Sequence, residues 1–268
     1  MWFLVHSFNN SQFNLLNERL NMNIKLLTAA VLALSLSSGA QASLVARTGG
    51  MVYDDVNNIT WASDANLFQT QASSNANLVS QIITANGGVI HDAPNAHDQS
   101  GTYTLTTADF NTSLGQMTWW GAQAWANNLS LGGFTDWSLP TTVPAVSGYN
   151  QTGSQMGDLF YNQLGGVAGS SIETNHNANY YLFTHVQSSY VYWSGSEYAL
   201  PSWAWSFFTV NGNQDNYLEK NYQLYAWAVR PGDVAAVPLP GAVWLFLSGM
   251  VGLMGLKRRN KLKGIANV

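Results

Sequence analysis

The stretch Ser202-Trp203-Ala204-Trp205-Ser206-Phe207 decides the fold class of this protein. Its aromatic residues alternate with small ones, and a period of two is typical of a β-strand with one buried face. Residues 190–194 and 224–230 are also strand-like, and Asn211-Gly212-Asn213 indicates a turn. This part of the chain is therefore predicted to form a largely antiparallel sheet.

Three segments with helical periodicity come before these strands. Residues 77–85, 123–129 and 154–164 each place apolar side chains on one face, and each is followed by a Gly-Gly pair that predicts the helix end. Thr118 is expected to cap the second helix. Residues 52–61 read as a β-hairpin around an acidic turn. Helices followed by strands, without a βαβ alternation, predict one α+β domain.

The composition of the segment between the two chain ends limits its chemistry. It holds thirteen acidic residues but only three basic ones, Arg47, Lys220 and Arg230, so its net charge is near −10. Such a charge argues against nucleic acid as a partner and suits an extracellular protein, divalent cations, or neutral and cationic ligands. The chain has no cysteine. Thiol catalysis, Cys-ligated zinc and disulfides are therefore excluded, and a tryptophan-rich core must hold the fold.

The N-terminal sequence predicts export. Met22-Asn23-Ile24-Lys25 is a basic start, an apolar stretch follows, and Ala40-Gln41-Ala42 is an A-x-A cleavage site. Residues 22–42 are therefore interpreted as a signal peptide, with Ser43 as the first mature residue. Residues 1–21 are interpreted as an upstream extension without a structural role. The mature domain is expected to span residues 43–233.

The C-terminal tail, residues 234–268, predicts a membrane span. An uncharged run starts at Val237 and includes the predicted transmembrane helix 241–256, and about 20 apolar residues suffice to cross a bilayer. The basic end 257–268 should remain cytoplasmic. Its basic residues are Lys257, Arg258, Arg259, Lys261 and Lys263. The alternative, a buried core helix, does not explain this basic cluster.

The start of the tail resembles a known sorting signal. Val237-Pro238-Leu239-Pro240-Gly241, followed by an apolar span and a basic end, is similar to the PEP-CTERM class of bacterial tails in its VPLPA-CTERM form, with Gly241 where that form has Ala. The resemblance implies recognition by an exosortase and delivery to the cell surface or extracellular matrix. The two prolines keep the motif extended.

Four separated motifs span the mature region. They are Asp55 with Trp61; Trp125 with Leu129 and Gly132-Gly133-Phe134-Thr135-Asp136-Trp137-Ser138-Leu139-Pro140-Thr141; Tyr192-Trp193-Ser194-Gly195-Ser196-Glu197; and Ala226-Trp227-Ala228-Val229-Arg230-Pro231. Their order resembles the Lcl C-terminal-domain family of bacterial surface domains, which implies a C-type-lectin-like fold. That family usually has Arg where Ser138 stands, so an ion pair or glycosaminoglycan contact of that Arg is not carried over. Most motif residues, including Trp125, Leu129, Trp137, Leu139 and Trp193, are interpreted as core.

Two His-Asp pairs provide the candidate metal ligands. His91, Asp92, His97 and Asp98 could supply two imidazoles and two carboxylates, although the surrounding Pro, Gly and Asn favour a solvated loop. No G-x-S-x-G, H-E-x-x-H or P-loop motif occurs. We therefore expect no cofactor and no enzymatic activity, and a metal-dependent hydrolase is the least favoured function.

Four aromatic residues are candidates for stacking on sugar rings: Tyr198, Trp203, Trp205 and Tyr225. The alternation in this region also predicts that at least half of these rings lie in the core. The E-P-N, Q-P-D and W-N-D tripeptides of calcium-dependent lectins are absent.

The expected function is a non-enzymatic surface or matrix protein that acts in adhesion or in an exopolysaccharide matrix. Its expected partners are the secretion machinery, an exosortase and, before processing, the inner membrane. The alternative is a carbohydrate-binding module for a specific glycan.

Overall fold

Residues 44–143 and 145–234 are described by the computed structural model, and they combine helices with antiparallel sheets. The predicted α+β class and antiparallel pairing are thereby confirmed. The predicted upstream extension, the signal peptide with its cleavage site before Ser43, and the whole tail from the sorting motif at Val237 to the basic end lie outside these residues. Within them, no helix combines the length and the apolar character needed to span a bilayer.

Strands form two main sheets and two small hairpins. The strands are β1 (Leu44–Arg47), β2 (Met51–Asp54), β3 (Ile59–Ala62), β4 (Val89–His91), β5 (Thr102–Thr104), β6 (Phe110–Asn111), β7 (Gln116–Met117), β8 (Val191–Glu197), β9 (Trp203–Phe208), β10 (Asn213–Glu219) and β11 (Val229–Pro231). One sheet has the order β1-β2-β3-β11 and the other β10-β9-β8, while β4 pairs with β5 and β6 with β7. The β4–β5 hairpin contains both His-Asp pairs, with His91 at the end of β4 and Asp92, His97 and Asp98 in the loop.

The four-stranded sheet joins the beginning and the end of the described region. The predicted hairpin is confirmed as β2–β3, with Val52 opposite Trp61. Strand β11 pairs with β3 on the other side, where Val229 lies opposite Trp61. A bidentate ion pair strengthens the same junction, because Arg47 donates to both carboxylate oxygens of Asp233 at 2.8 Å.

Helices connect and cover the sheets. They are α1 (Leu67–Ser74), α2 (Leu78–Ala85), α3 (Trp119–Asn127) and α4 (Gln155–Asp158), with 3-10 turns at Thr107–Asp109 and Ala178–Leu182 and a π-turn at Leu159–Gln163. The predicted α2 is confirmed, and so is the Thr118 cap, whose side chain accepts a hydrogen bond from the Gly121 N–H. The third predicted helix is confirmed as α4 with its π-turn.

The predicted end of α3 at Gly132-Gly133 is wrong. The helix ends at Asn127, and Leu131 and Phe134 then exchange two backbone hydrogen bonds of 3.1 Å. The two glycines lie between them with φ values of 63° and 86°. They therefore form a tight turn that needs left-handed backbone, which glycine adopts without steric strain. A Gly-Gly pair signals either a helix stop or such a turn, and local sequence does not separate them.

Strand β9 contains the stretch that predicted the sheet, but it is buried on both faces. Trp205 and Phe207 are 2% and 1% exposed, and the intervening Ala204 and Ser206 are both 0% exposed. The neighbouring strand explains why, since β8 places Tyr192 opposite Phe207 and the bulky Trp193 opposite Ser206. The small residues of β9 thus accommodate a large ring from β8 on a second packed face. The expectation of a single buried face is wrong here.

Tryptophan dominates the core. Eight of the nine tryptophans between Ser43 and Ala236 are buried, the exception being Trp203. The rings of Trp61 and Trp227 meet edge to face at 5.5 Å, and Trp227 donates its indole N–H to the Ala62 carbonyl at 2.8 Å. The predicted core positions in the family-like motifs, among them Trp125 and Trp193, are confirmed as buried. These rings hold the fold without disulfides.

Candidate functional site

Asp92 follows β4 directly and lies at the base of the β4–β5 loop. Its side chain is 0% exposed. Its Oδ2 accepts hydrogen bonds from Trp120 Nε1 at 2.7 Å and Asn95 Nδ2 at 3.2 Å, while its Oδ1 accepts from the Ala93 N–H at 2.7 Å. A buried carboxylate needs this many donors because an unpaired charge is costly in the interior.

Lys220 is the cation that faces this carboxylate. Its side chain is also 0% exposed, and its Nζ lies 2.8 Å from Asp92 Oδ1 and 2.9 Å from Oδ2. The backbone fixes its position at the end of β10, since the Lys220 N–H donates to the Ser202 carbonyl and its carbonyl accepts from the Trp119 N–H, both at 2.9 Å. Lys220 is therefore tied to the β8–β9 connection and to the start of α3.

A second carboxylate reaches the same amine from outside. Glu197 ends β8, and its Oε2 lies 3.3 Å from Lys220 Nζ, with 40% of the Glu197 side chain exposed. The Trp119 ring covers another side, its centroid 4.3 Å from Nζ. We call Lys220, Asp92, Glu197, Trp119 and Trp120 the buried lysine cluster. It joins one amine to two carboxylates, one sealed from solvent and one in contact with it.

Further aromatic side chains shield the cluster from water. The Tyr103 ring stacks on Trp120 with the centroids 3.8 Å apart, and the His97 ring meets Trp120 edge-on at 5.9 Å. His97 also places its Nε2 3.2 Å from Glu219 Oε2. Glu219 is thus a partly exposed partner of His97 next to the cluster. The contacting atoms of Asp92 and Lys220 are therefore enclosed within the protein.

The four metal-ligand candidates do not converge. Each has a different partner: His91 Nδ1 lies 3.5 Å from Thr102 Oγ1, Asp92 binds Lys220, His97 faces Glu219, and Asp98 accepts from Ser100 Oγ at 2.7 Å. Over residues 44–143 and 145–234 there is no group of three or more His, Cys, Asp or Glu side chains that could hold a metal ion. The candidate site fails because its one buried carboxylate is already bound to an ammonium group.

The four stacking candidates are divided by burial. Trp205 and Tyr225 are 2% and 4% exposed, so neither presents a ring face to a sugar, and both are corrected to core residues. Tyr198 and Trp203 are half-buried, and Tyr198 packs edge-on against Trp205 at 5.8 Å. A stacking surface at the end of the β8–β9 hairpin therefore has only Tyr198 and Trp203 available.

A more exposed aromatic group lies on the Ala178–Leu182 turn. Tyr181 is 76% exposed, and its ring meets the His176 ring edge-on at 5.3 Å. His176 stacks on Tyr180 with the centroids 4.1 Å apart, and its Nδ1 lies 2.7 Å from the Ile172 carbonyl oxygen. We call Tyr181, His176 and Tyr180 the tyrosine–histidine cluster. His176 and Tyr180 both contact Tyr181, whose side chain remains largely exposed to solvent.

All three basic residues of the described region are paired with carboxylates. Besides Lys220, Arg47 binds Asp233, and Arg230 donates to both oxygens of Asp136 at 2.7 and 3.0 Å. Hydrogen bonds from these arginines lower the pKa of Asp233 and the pKa of Asp136. All three basic side chains are therefore paired within the protein, and the described region retains an excess of carboxylates.

The cavity near α4 is too small for an organic ligand. Its volume is about 10 Å³, and its apolar lining includes Phe160, Phe207 and Trp227. This is room for roughly one water molecule, whereas small-molecule sites occupy about 300–1,000 Å³. It is a packing gap between the π-turn and the three-stranded sheet.

Sequence reasoning did not identify Lys220, Glu197 or Tyr181 as functional candidates. For Lys220 one signal existed: it is one of only three basic residues between Ser43 and Ala236. A basic residue among so many acidic ones is expected to form an ion pair with a carboxylate. For Tyr181, the signal was a Tyr-Tyr pair in an Asn-rich segment. Neither signal indicates burial or exposure.

Comparisons of the chain with protein-family models, with curated proteins and with solved structures find no match.

Proposed function

We propose that this protein is exported, sorted by an exosortase and displayed at the cell surface or in the extracellular matrix, where it acts in adhesion without catalysing a reaction. The observation that carries the proposal is the pairing of an export signal at residues 22–42 with a tail that joins Val237-Pro238-Leu239-Pro240, an apolar run and a basic end.

The proposal includes the Lcl-like, C-type-lectin-like nature of the domain. It is supported by the α+β class, by two antiparallel sheets, and by the pairing of β11 with β3 next to β1 and β2. A non-enzymatic role is supported by the internal use of charged groups, since Asp92, Asp136 and Asp233 each bind a basic residue. The net negative charge of the domain suits an extracellular position.

The test is the intact mass of the mature protein recovered separately from membrane, cell surface and medium. We expect a species that starts at Ser43 and ends between Val237 and Pro240 in the surface or medium fraction. A species that still carries residues 257–268 and stays in the membrane would refute exosortase processing. Replacement of Pro238 and Pro240 by Ala is the matched variant, and it should shift the protein to the unprocessed form.

Glycan recognition is the second candidate function, and the tyrosine–histidine cluster favours it. An exposed ring held by neighbouring rings offers an apolar face for a sugar at a low entropic cost. Tyr181 has this arrangement, and the half-buried Trp203 offers a second, separate ring. The region between Ser43 and Ala236 carries a net negative charge, which favours neutral over anionic glycans.

Binding of the protein to purified exopolysaccharide, measured by co-sedimentation, tests this second function. Tyr181→Ala should reduce binding, whereas Tyr222→Ala, which removes another tyrosine that is 55% exposed, should not. Equal binding by both variants would exclude the tyrosine–histidine cluster as the glycan site.

A further inference from the structure

We propose that Lys220 and Asp92 condense to form an amide bond between their side chains, so that an internal covalent cross-link takes the place that disulfides hold in other exported domains. Glu197 carries the proton in this reaction. The site is the buried lysine cluster, and the reaction needs no cofactor and no external substrate.

The two reacting groups are already in contact. Lys220 Nζ lies 2.8 and 2.9 Å from the two carboxylate oxygens of Asp92, and both side chains are 0% exposed. This places Nζ about 3 Å from the carboxyl carbon, the separation of a near-attack pair, for which effective concentrations reach the order of 10⁵ M or more. Condensation releases water into bulk solvent, and the aromatic shell opposes its return.

Burial also favours the amide over the ion pair. Two buried charges lose their hydration, and their attraction repays this loss only in part. The amide carries no charge, so its formation removes both desolvation penalties. Asp92 and Lys220 are 128 positions apart in the sequence, and the bond therefore closes a long loop in a chain without cysteine.

The reaction balances within the cluster. The Lys220 ammonium first gives a proton to Asp92 Oδ1, which leaves a neutral amine beside a neutral acid. The Nζ electron pair then attacks the Asp92 carboxyl carbon, while Glu197 Oε2, 3.3 Å from Nζ, takes a second proton from the nitrogen. Glu197 returns this proton to the Oδ1 hydroxyl, the carbon–Oδ1 bond breaks, and one water molecule leaves. One N–H remains on the amide, and Glu197 is a carboxylate again.

The surroundings stabilise the oxygen that becomes negative during attack. Oδ2 accepts hydrogen bonds from Trp120 Nε1 and Asn95 Nδ2, which act as donors to the tetrahedral intermediate. The same donors serve the amide carbonyl in the product. Glu197 is partly exposed, so the water molecule has a route out on that side.

The experiment is the mass of the full chain under denaturing conditions, followed by peptide mapping. We expect the wild type to be lighter than its sequence by the mass of one water molecule, with one branched peptide that joins the segments around Asp92 and Lys220. Lys220→Arg and Glu197→Gln should both restore the full mass. Glu219→Gln should keep the deficit, because it removes a neighbouring carboxylate that contacts His97 and not Lys220.

Three outcomes overturn the proposal. They are a wild-type mass equal to that of the sequence, a deficit that persists in Lys220→Arg, and a deficit that maps to peptides without Asp92. If Lys220→Arg does not fold, Glu197→Gln remains decisive, since its side chain is 40% exposed and its loss leaves no buried charge unpaired. A folded Glu197→Gln protein, verified by near-UV circular dichroism, that still forms the bond excludes the role of Glu197. Export and tail processing change the N-terminal and C-terminal peptides, whereas the cross-link changes the peptides around Asp92 and Lys220. The same peptide map therefore tests the two proposals separately.

Discussion

The Glu197→Gln substitution distinguishes a covalent cross-link from an ordinary ion pair by the size of its effect on stability. The Glu197 carboxylate lies 3.3 Å from Lys220 Nζ with 40% of its side chain exposed. A partly exposed ion pair of this kind contributes at most about 1 kcal/mol. Loss of this pair alone should therefore lower Tm by no more than about 4 °C in a domain of this size.

Loss of the cross-link has a much larger effect. The bond closes a loop between positions 128 residues apart, and the chain-entropy relation gives about 5 kcal/mol for a loop of that length. In a domain of 150–250 residues this corresponds to a decrease in Tm of roughly 10–20 °C. The two explanations thus predict changes that differ severalfold.

Differential scanning calorimetry of the full chain measures the change, with Glu219→Gln as the matched control. Glu219 is equally exposed, at 39%, and also contacts one basic partner, His97, at 3.2 Å. We expect the control to remain within about 4 °C of the wild type. If Glu197→Gln shows the full mass of its sequence and still lowers Tm as little as Glu219→Gln does, the reasoning from loop closure is refuted.

Three further predictions concern separate parts of the domain. Tyr181→Ala should weaken exopolysaccharide binding, measured by co-sedimentation, by a few-fold to about tenfold because one stacked ring is lost. The same substitution should change the free energy of unfolding, measured in urea, by no more than about 0.5 kcal/mol. Asp109→Asn should destabilise the domain by about 2–4 kcal/mol in urea unfolding, because the buried carboxylate accepts four hydrogen bonds and Asn offers only one acceptor oxygen; an unchanged midpoint would contradict this. Burial, with a further contribution from the Asp158 charge, raises the pKa of Asp54 above 3.8, although hydrogen bonds from Asn57 oppose the shift. A raised pKa means stability that is present below the unfolded-state pKa of 3.8 and lost as pH rises through the folded-state pKa. Asp54→Asn should abolish this loss in unfolding measured from below pH 3.8 up to neutral pH, and parallel wild-type and variant profiles would count against it.

Local sequence patterns predicted individual elements well where a short-range signal existed. The Thr118 cap, the helix α2 and the β2–β3 hairpin all follow from residues within a few positions of each other. Strand β10 and helix α1 were not predicted, since β10 is largely polar and α1 has no capping side chain or charged first turn. Such elements are stabilised by neighbours that are distant in sequence.

The same local patterns did not predict most of the candidate site. Lys220 lies between Glu219 and Asn221, a context that predicts a solvated turn, yet its side chain is 0% exposed. Asp92 was considered only as a metal ligand next to His91. Their contact depends on how β4, β8, β10 and α3 are arranged around one point, and no short segment contains that information.

The sequence by itself determined the α+β class, the net negative charge and the reliance on a tryptophan-rich core in a chain without cysteine. These properties follow from periodicity, composition and charge, which are local or additive. Tertiary structure alone decided which aromatic rings are core, as for Trp205 and Tyr225, and which carboxylates meet a cation. Burial and ion pairing depend on segments as far apart as Asp92 and Lys220, 128 positions in the chain. Only the folded packing sets the distances and the solvent exclusion on which their chemistry depends.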